Sequence, residues 1–356
     1  MPTALQIAQG RQSAPLSQGL FSTVRTATPL LSAFDARTSS DDKFLTLDLV
    51  SLPTSAFVGL NEGLTHSEGA FELREFSCSQ IGGLIKAEVE AARLWSKHHT
   101  STGYDWFSLQ AMLRMKADLV NIEKQIILGR ANDAKGFPGA KEMTPYIAAN
   151  VMAATADPQA SLWKKSVINA GGTTDNTASS VYSFVFGELE AQLVIGNDTG
   201  AEMLRVSEIV RQMIAPDSNS PTKLSLHDVA EVRGYMGLAV SGFNLQAAGQ
   251  TVPTQYSVRR IANLTADSGK GLTDMLIDLL RRSHGGGRQV GLLAMSTRSG
   301  QQLAASRAPT AINFMMGQSG DAQKGTFTTY PAPPDNWNGI PIVYPDCIGS
   351  TDALES

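Results

Sequence analysis

Five histidines (His66, His98, His99, His227 and His284) and two cysteines (Cys78 and Cys347) are the residues best suited to metal binding or nucleophilic chemistry. Adjacent His98 and His99 have no Asp, Glu or Cys at short helical ligand spacing, so a solvated loop is a simpler reading than a metal site. The cysteines fit neither a zinc pattern nor a disulfide framework and read as free thiols made in a reducing compartment. No G-x-S-x-G elbow surrounds a serine, and no Cys–His pair follows from position. Glu88, Glu90, Asp118 and Glu123 offer carboxylates for acid–base work, but helical surfaces are full of such groups.

Two stretches come nearest to a phosphate cradle. GGTTDNTASS (171–180) supplies glycines and hydroxyls but lacks the lysine that reaches terminal phosphates, and no convincing helix follows it. SGKGLTD (268–274) precedes a helix, yet a glycine interrupts the Lys-Thr step. Gly285 to Gly287 follow a helix, the wrong end of the dipole for an anion. The N-x-[ST] triplets at Asn197 and Asn263 read as chance matches. No catalytic, cofactor-binding or metal residue is assigned.

Composition points away from a compact enzyme. Of 356 residues 42% are hydrophobic and only 17% charged, against about 25% charged in ordinary domains. So little charge suits a surface largely covered by neighbours. A net charge of −4 without a long basic run argues against gripping nucleic acid through many phosphates. The N-terminus lacks the apolar core of a signal peptide, and nowhere do 18 apolar residues run together, so a soluble, non-exported chain is expected.

The elements that would position these residues follow from periodicity. Residues 1–43, rich in Ser, Thr, Ala, Gln and Pro, read as an extended arm without its own core. FLTLDLV and FELREF, with Gly-rich text between them, read as a long two-stranded excursion. Residues 81–95 alternate like a strand, although their Ala and Glu content fits a helix nearly as well. The clearest element is a helix over 105–128, capped by Asp105 and stopped by Gly129. YIAANVMAATA reads as helical, and 168–198 holds a turn-rich loop and two short strands. MLRVSEIVRQMI is strand or helix; LHDVAEVRGYMGLAVSGF and YSVRRIANLT are strands. A helix over 272–282 carries Met275, Leu276, Leu279 and Leu280 on one face, with Arg281, Arg282 and His284 complementing its dipole and Gly285 to Gly287 ending it. Strand VGLLAM, helix 298–307, strand AINFMM and strand 340–344 complete the chain.

The segment YDWFSLQAMLRMKADLVNIEKQIILGRANDAKGFPG resembles the long helix of tailed-bacteriophage major capsid proteins of the Hong Kong 97 fold. GGTTDNTASSVYSFVFGE, GYMGLAVSGFNLQ, YSVRRIANL, LLAMSTRSGQQLAASR and WNGIPIVYPDCI are similar to further segments of that family. The resemblance covers most of residues 104–348 in the expected order.

What the resemblance implies is an α+β subunit with an N-terminal arm (1–43) and an extended loop (44–80). A peripheral domain (81–144 and 311–356) would include the spine helix 105–128, beside an axial domain (145–310). The helix's apolar face, Phe107, Met112, Leu113, Leu119, Ile122 and Ile126, is the expected assembly surface. The implied function is a major capsid protein that self-assembles into hexamers and pentamers of an icosahedral shell around double-stranded DNA. It would be part of the virion, assembled in the host cytoplasm. Scaffold, portal and decoration proteins are the expected partners, with packaged DNA nearby without specific binding, no membrane and no cofactor. No Lys–Asn crosslink can be assigned. Two alternatives stand beside it: a nanocompartment shell of the same fold, and an α/β enzyme binding a metabolite through the alternating elements at 256–316.

Overall fold

A computed structural model of the chain describes residues 28–39, 43–51, 53–59, 62–98, 106–148, 150–154, 165–187, 190–196, 204–214, 224–242, 256–284, 288–316 and 332–356. Most of the expected arm, with Asp105, Asn197, His99 and Gly285 to Gly287, lies outside them.

One sheet is centred on strand β11 (Ser225–Ala239), whose sequence alternates between a buried and an open face. Along one edge it pairs antiparallel with β10 (Val210–Ile214), β9 (Arg205–Val206) and β8 (Gln192–Ile195), and along the other with β4 (Ser79–Glu88). β1 (Ala36–Thr38) adds parallel to β8. Helix α3 (Trp106–Leu128) lies across β4 and β11. Gly83 permits that approach, since a Cβ on it would lie 2.4 Å from the Arg114 guanidinium, and Gly82 permits close strand pairing, since a Cβ on it would lie 2.4 Å from the Val232 carbonyl oxygen of β11. Arg114 then donates to Gly82 O at 2.9 Å and to Asp118 Oδ2 at 3.1 Å, tying helix to strand.

The second sheet runs in the order β14 (Asn336–Trp337), β15 (Ile340–Val343), β13 (Leu292–Met295), β7 (Ser179–Phe184), β12 (Val258–Leu264), β6 (Val167–Asn169), β5 (Val151–Ala153). β7 and β12 are buried throughout, as expected of strands covered on both faces. Tyr182 and Phe184 face a core shared with Ile122, Ile126, Val232 and Met236. Val181, Ile261 and Met295 face a second core closed by helices α5 (Asp274–Ser283) and α6 (Thr297–Met316). Arg307 on α6 and the Trp337 indole both donate to Asp274 at the start of α5, at 2.9 and 2.6 Å.

Several expectations are corrected. Part of the presumed arm is built into the body. In helix α1 (Pro29–Ala33) Leu30 and Leu31 are buried, and Phe34 meets Phe184 and Phe186 edge-on at 4.9 and 5.1 Å. Residues 81–95 are both readings in turn, β4 and then helix α2 (Val89–His98), whose Trp95 packs against Trp106 at 4.9 Å. YIAANVMAATA is not helical where described: Asn150 bridges Pro145 O and Ser166 N–H, each at 2.8 Å, and delivers β5 to the edge of the sheet. AINFMM continues α6 rather than forming a strand, because extending a nucleated helix outweighs a six-residue alternation. On α5 Met275 is exposed, and Ile277 takes its expected place in the core.

Sheet membership also cuts across the boundaries expected at 145 and 310. β8 to β11 share a sheet with β4, while β15 pairs with β13.

The end of α3 is fixed by a close contact. Gly129 has φ of 60°, and a Cβ on it would lie 2.3 Å from Gly139 N, so the loop after the helix folds straight back on its own stop. Gln125 donates to Phe137 O at 2.7 Å. Asn132 donates to Asn121 Oδ1 and Gln125 Oε1 at 2.9 and 3.0 Å. Arg130 pairs with Glu142, just inside short helix α4 (Ala140–Met143).

Candidate assembly surfaces

Strands β2 (Lys43–Ser51) and β3 (Ala70–Ser77) form an antiparallel ribbon that belongs to neither sheet. Its base is anchored: Phe44 and Phe76 pack against the first core, and the Arg37 guanidinium lies 5.5 Å from the Phe44 ring centre. Beyond the base, register sorts its residues. Lys43, Leu45, Leu47, Leu73, Phe71 and Glu75 share one face; Thr46, Arg74 and Glu72 share the other. Leu45, Leu47, Phe71 and Leu73 are 56 to 66% exposed. At the far end Phe57 and Leu64 are exposed almost entirely, on a turn closed by Gly59 N–H donating to Glu62 Oε2 at 2.7 Å. Single exposed apolar residues are ordinary; a continuous stripe on one face marks an interaction surface.

The six residues expected to form an assembly face on α3 divide between core and surface. Ile122 and Ile126 lie in the chain's own core, at 1 and 0% exposure, with Phe107 and Leu119 packed against it. Met112 and Leu113 point outward, at 36 and 39%, beside exposed Lys116. The ribbon stripe was the larger surface and was not singled out from sequence, although the alternations in FLTLDLV and FELREF carry it.

The candidate chemical groups are occupied structurally. Burial raises the Asp118 carboxyl above its usual range, against the pull of Arg114. Burial also raises that of Glu123, which accepts the N–H groups of Leu30 and Leu31 at the start of α1. Glu90 pairs with exposed Arg93, and His66 with exposed Glu68. His284 is not a dipole-complementing cation. It is buried, donates from Nδ1 to Tyr256 O at 3.0 Å, and accepts at Nε2 from Ser183, and burial lowers its pKa to about 3. Burial pushes the Cys347 thiol up to about 12, leaving it unreactive as a nucleophile. Asn263 is buried and bonded to the Glu355 backbone.

The GGTT turn does form a ring of donors, but the carboxylate inside it is Asp267 of the same chain. Hydrogen bonds from Thr174, Thr173 and Thr265 hold that carboxyl well below the usual range. An open cleft of about 710 Å³ lies between α5 and β14, beside Asp274, whose carboxylate is engaged by Arg307 and Trp337. Among the described residues no group of three or more His, Cys, Asp or Glu is placed to hold a metal ion, and no helix is long and apolar enough to cross a membrane.

No protein-family profile matches the sequence, and no curated protein is similar to it in sequence. Solved structures are similar in fold. A chain of bacteriophage Epsilon15, determined by cryo-EM, superposes over 99% of this chain and 97% of its own with a TM-score of 0.57 and 12% identity. A chain of the capsid of the native GTA particle covers 72% of this chain and 98% of its own, with a TM-score of 0.41 and 10% identity. One from the holo-SrpI encapsulin complex of Synechococcus elongatus PCC 7942 covers 72% and 95%, with a TM-score of 0.42 and 12% identity. The Epsilon15 likeness shows an α+β fold of the Hong Kong 97 capsid type.

Proposed function

We propose that this chain is a major capsid protein whose work is to bind copies of itself into a closed shell around double-stranded DNA. The observation that carries this is the β2–β3 ribbon, with an apolar face that the described residues leave uncovered. Its fold, shared with a chain of bacteriophage Epsilon15, is the second support. Burying a Leu or Phe side chain fully is worth roughly 1.5–3 kcal/mol. A stripe of four such residues is therefore a strong reason for association.

In this reading the ribbon is the extended loop, and it lies across the outward face of α3 on the next copy. Residues 43–77 hold five acidic groups against Lys43 and Arg74, whereas that helix face carries Lys116 and Lys124. The sheet of β4 and β8 to β11 with α3 is the peripheral unit. The sheet of β5 to β7 and β12 to β15 with α5 and α6 is the axial one. Rings of such heterologous contacts close into hexamers and pentamers. Scaffold, portal and decoration proteins, a virion location, assembly in the host cytoplasm, and a structural rather than catalytic role belong to the same reading.

Negative-stain microscopy of the purified chain tests it, with rings or closed shells as the expected outcome. A strictly monomeric or dimeric species across salt and pH would overturn it. Nucleic acid in particles recovered from infected cells, rather than a packaged enzyme, separates a virion from a nanocompartment.

A further inference from the structure

Strand β10 forms one open edge of the first sheet. Among the described residues it pairs only with β11, and Val210, Arg211, Gln212 and Met213 are all exposed. A row of unpaired N–H and C=O groups is a template for another strand, and proteins blunt such edges with lysines, prolines or bulges. β10 has none of these: it reads VRQMI and stays in register with β11 throughout. Its one charge, Arg211, is engaged by both Asp228 oxygens, at 2.7 and 3.2 Å, so the strand presents no net charge. Apolar surface lies alongside. Met213 stands opposite Leu226, alternation puts Ile209 and Leu224 on the same face, and all four are exposed.

We infer that β10 pairs antiparallel with β10 of a second copy about a two-fold axis, extending the sheet across the contact. A strand laid antiparallel on its own copy satisfies both edges with one self-complementary surface. With Gln212 at the axis, Arg211 of each copy sits beside Met213 of the other, and Val210 beside Ile214. An uncharged amide occupies the centre, so no like charges meet there, and each Arg211 keeps its Asp228. The exposed Ile209, Met213, Leu224 and Leu226 of both copies become one apolar surface spanning the axis. The contact rests on the reading that the chain assembles with itself, and it adds a two-fold junction to the ring contacts made by the ribbon.

Gln212→Cys tests the pairing in the full-length protein. Residues facing each other across an antiparallel pair have Cα atoms about 4.5–5.5 Å apart, within reach of a disulfide. Mild oxidation with diamide should give a covalent dimer. Its yield should be about tenfold above that of Val210→Cys, which faces Ile214, or of wild type with its native thiols. Particles without that dimer overturn the pairing and leave the shell reading intact. A Gln212→Cys dimer without particles keeps the pairing and removes the shell; absence of both dimer and particles removes both. The competing occupant is residues 1–27 of the chain. Loss of β10 amide protection on deleting them, with no Gln212→Cys dimer, would assign the edge to that segment instead.

Discussion

Thr174 donates twice to the carboxylate of Asp267, from Oγ1 to Oδ1 at 2.5 Å and from its backbone N–H to Oδ2 at 3.1 Å. Thr173 N–H adds a third bond at 3.0 Å and Thr265 Oγ1 a fourth at 2.8 Å. The Gly-Gly-Thr-Thr turn is thus an anion cradle in the physical sense, with convergent backbone and hydroxyl donors. Its anion comes from a residue 93 positions along the chain, which is why the same letters invite comparison with a phosphate loop.

Replacing that charge has a pH signature. Because the folded pKa of Asp267 is depressed, its stabilisation is present above the ordinary aspartate value of about 3.9 and is lost as pH falls through the folded value. Asp267→Asn should melt below wild type at pH 7, and the gap should narrow as the buffer is taken below pH 4. A gap independent of pH would show that the charge is not what closes the turn.

Glu123 carries the opposite sign. Burial raises its carboxyl despite the bonds from Leu31 and Leu30, and Asp346 acts in the same direction as burial. A raised folded pKa gives a contribution fully present below the unfolded value of about 4.3 and lost as pH rises through the folded value. Glu123→Gln, which keeps an acceptor without the charge, should equal or exceed wild-type stability at pH 7. Glu123→Ala strands two buried N–H groups and should cost about 1–3 kcal/mol. Thermal melts at pH 5 and 7 decide; a Gln variant weaker than wild type at pH 7 would mean that the charged cap outweighs its desolvation.

Much of the fold was legible because its long elements satisfy one period. Helix α3 and strands β11, β12 and β13 stand where apolar spacing places them. Short edge strands were not legible: β5 lies in an Ala-rich run and is made a strand by pairing with β6, while Asn150 just before it is held by Ser166, 16 positions further along the chain. The division of α3 was hidden for a related reason. Ile122 and Leu113 look alike in sequence, and only the position of β4 beneath the helix decides which is buried. The ribbon stripe was readable, since its alternation is local; what the letters lack is that its four apolar side chains stay more than half exposed among the described residues.

The C-terminal segment is tied to β12 of the second sheet by an ion pair whose arginine is buried. Arg260, at 1% side-chain exposure, donates to both carboxylate oxygens of Glu355, at 2.8 and 2.5 Å, and Lys141 approaches the same group at 3.3 Å. Burial alone would raise the Glu355 carboxyl, but Arg260 holds it below the usual range. Removing one partner strands the other charge. Glu355→Ala should therefore cost about 3–5 kcal/mol, and the double variant Arg260→Met with Glu355→Leu should recover most of it. Denaturant melts of the three proteins measure this, and a single variant as stable as the double one would contradict it.

Two substitutions separate failure to fold from failure to assemble. Ile122→Asp puts an unpaired carboxylate into the core shared by α3 and both sheets and should cost more than about 4 kcal/mol. It should lose particles because it loses the subunit. Leu73→Asp changes a side chain that touches mainly water in the isolated chain, so its melting should stay within about 0.5 kcal/mol of wild type. If the ribbon's apolar face is buried on a neighbouring copy, this folded variant should remain as free subunits where wild type forms rings or shells, and Leu47→Asp should behave alike. Leu113→Asp, on the outward face of α3, should show the same defect if that face receives the ribbon. Normal particles from Leu73→Asp and Leu47→Asp would mean that the stripe faces solvent in the assembled shell. The hydrophobic argument for assembly would then have to move elsewhere on the molecule.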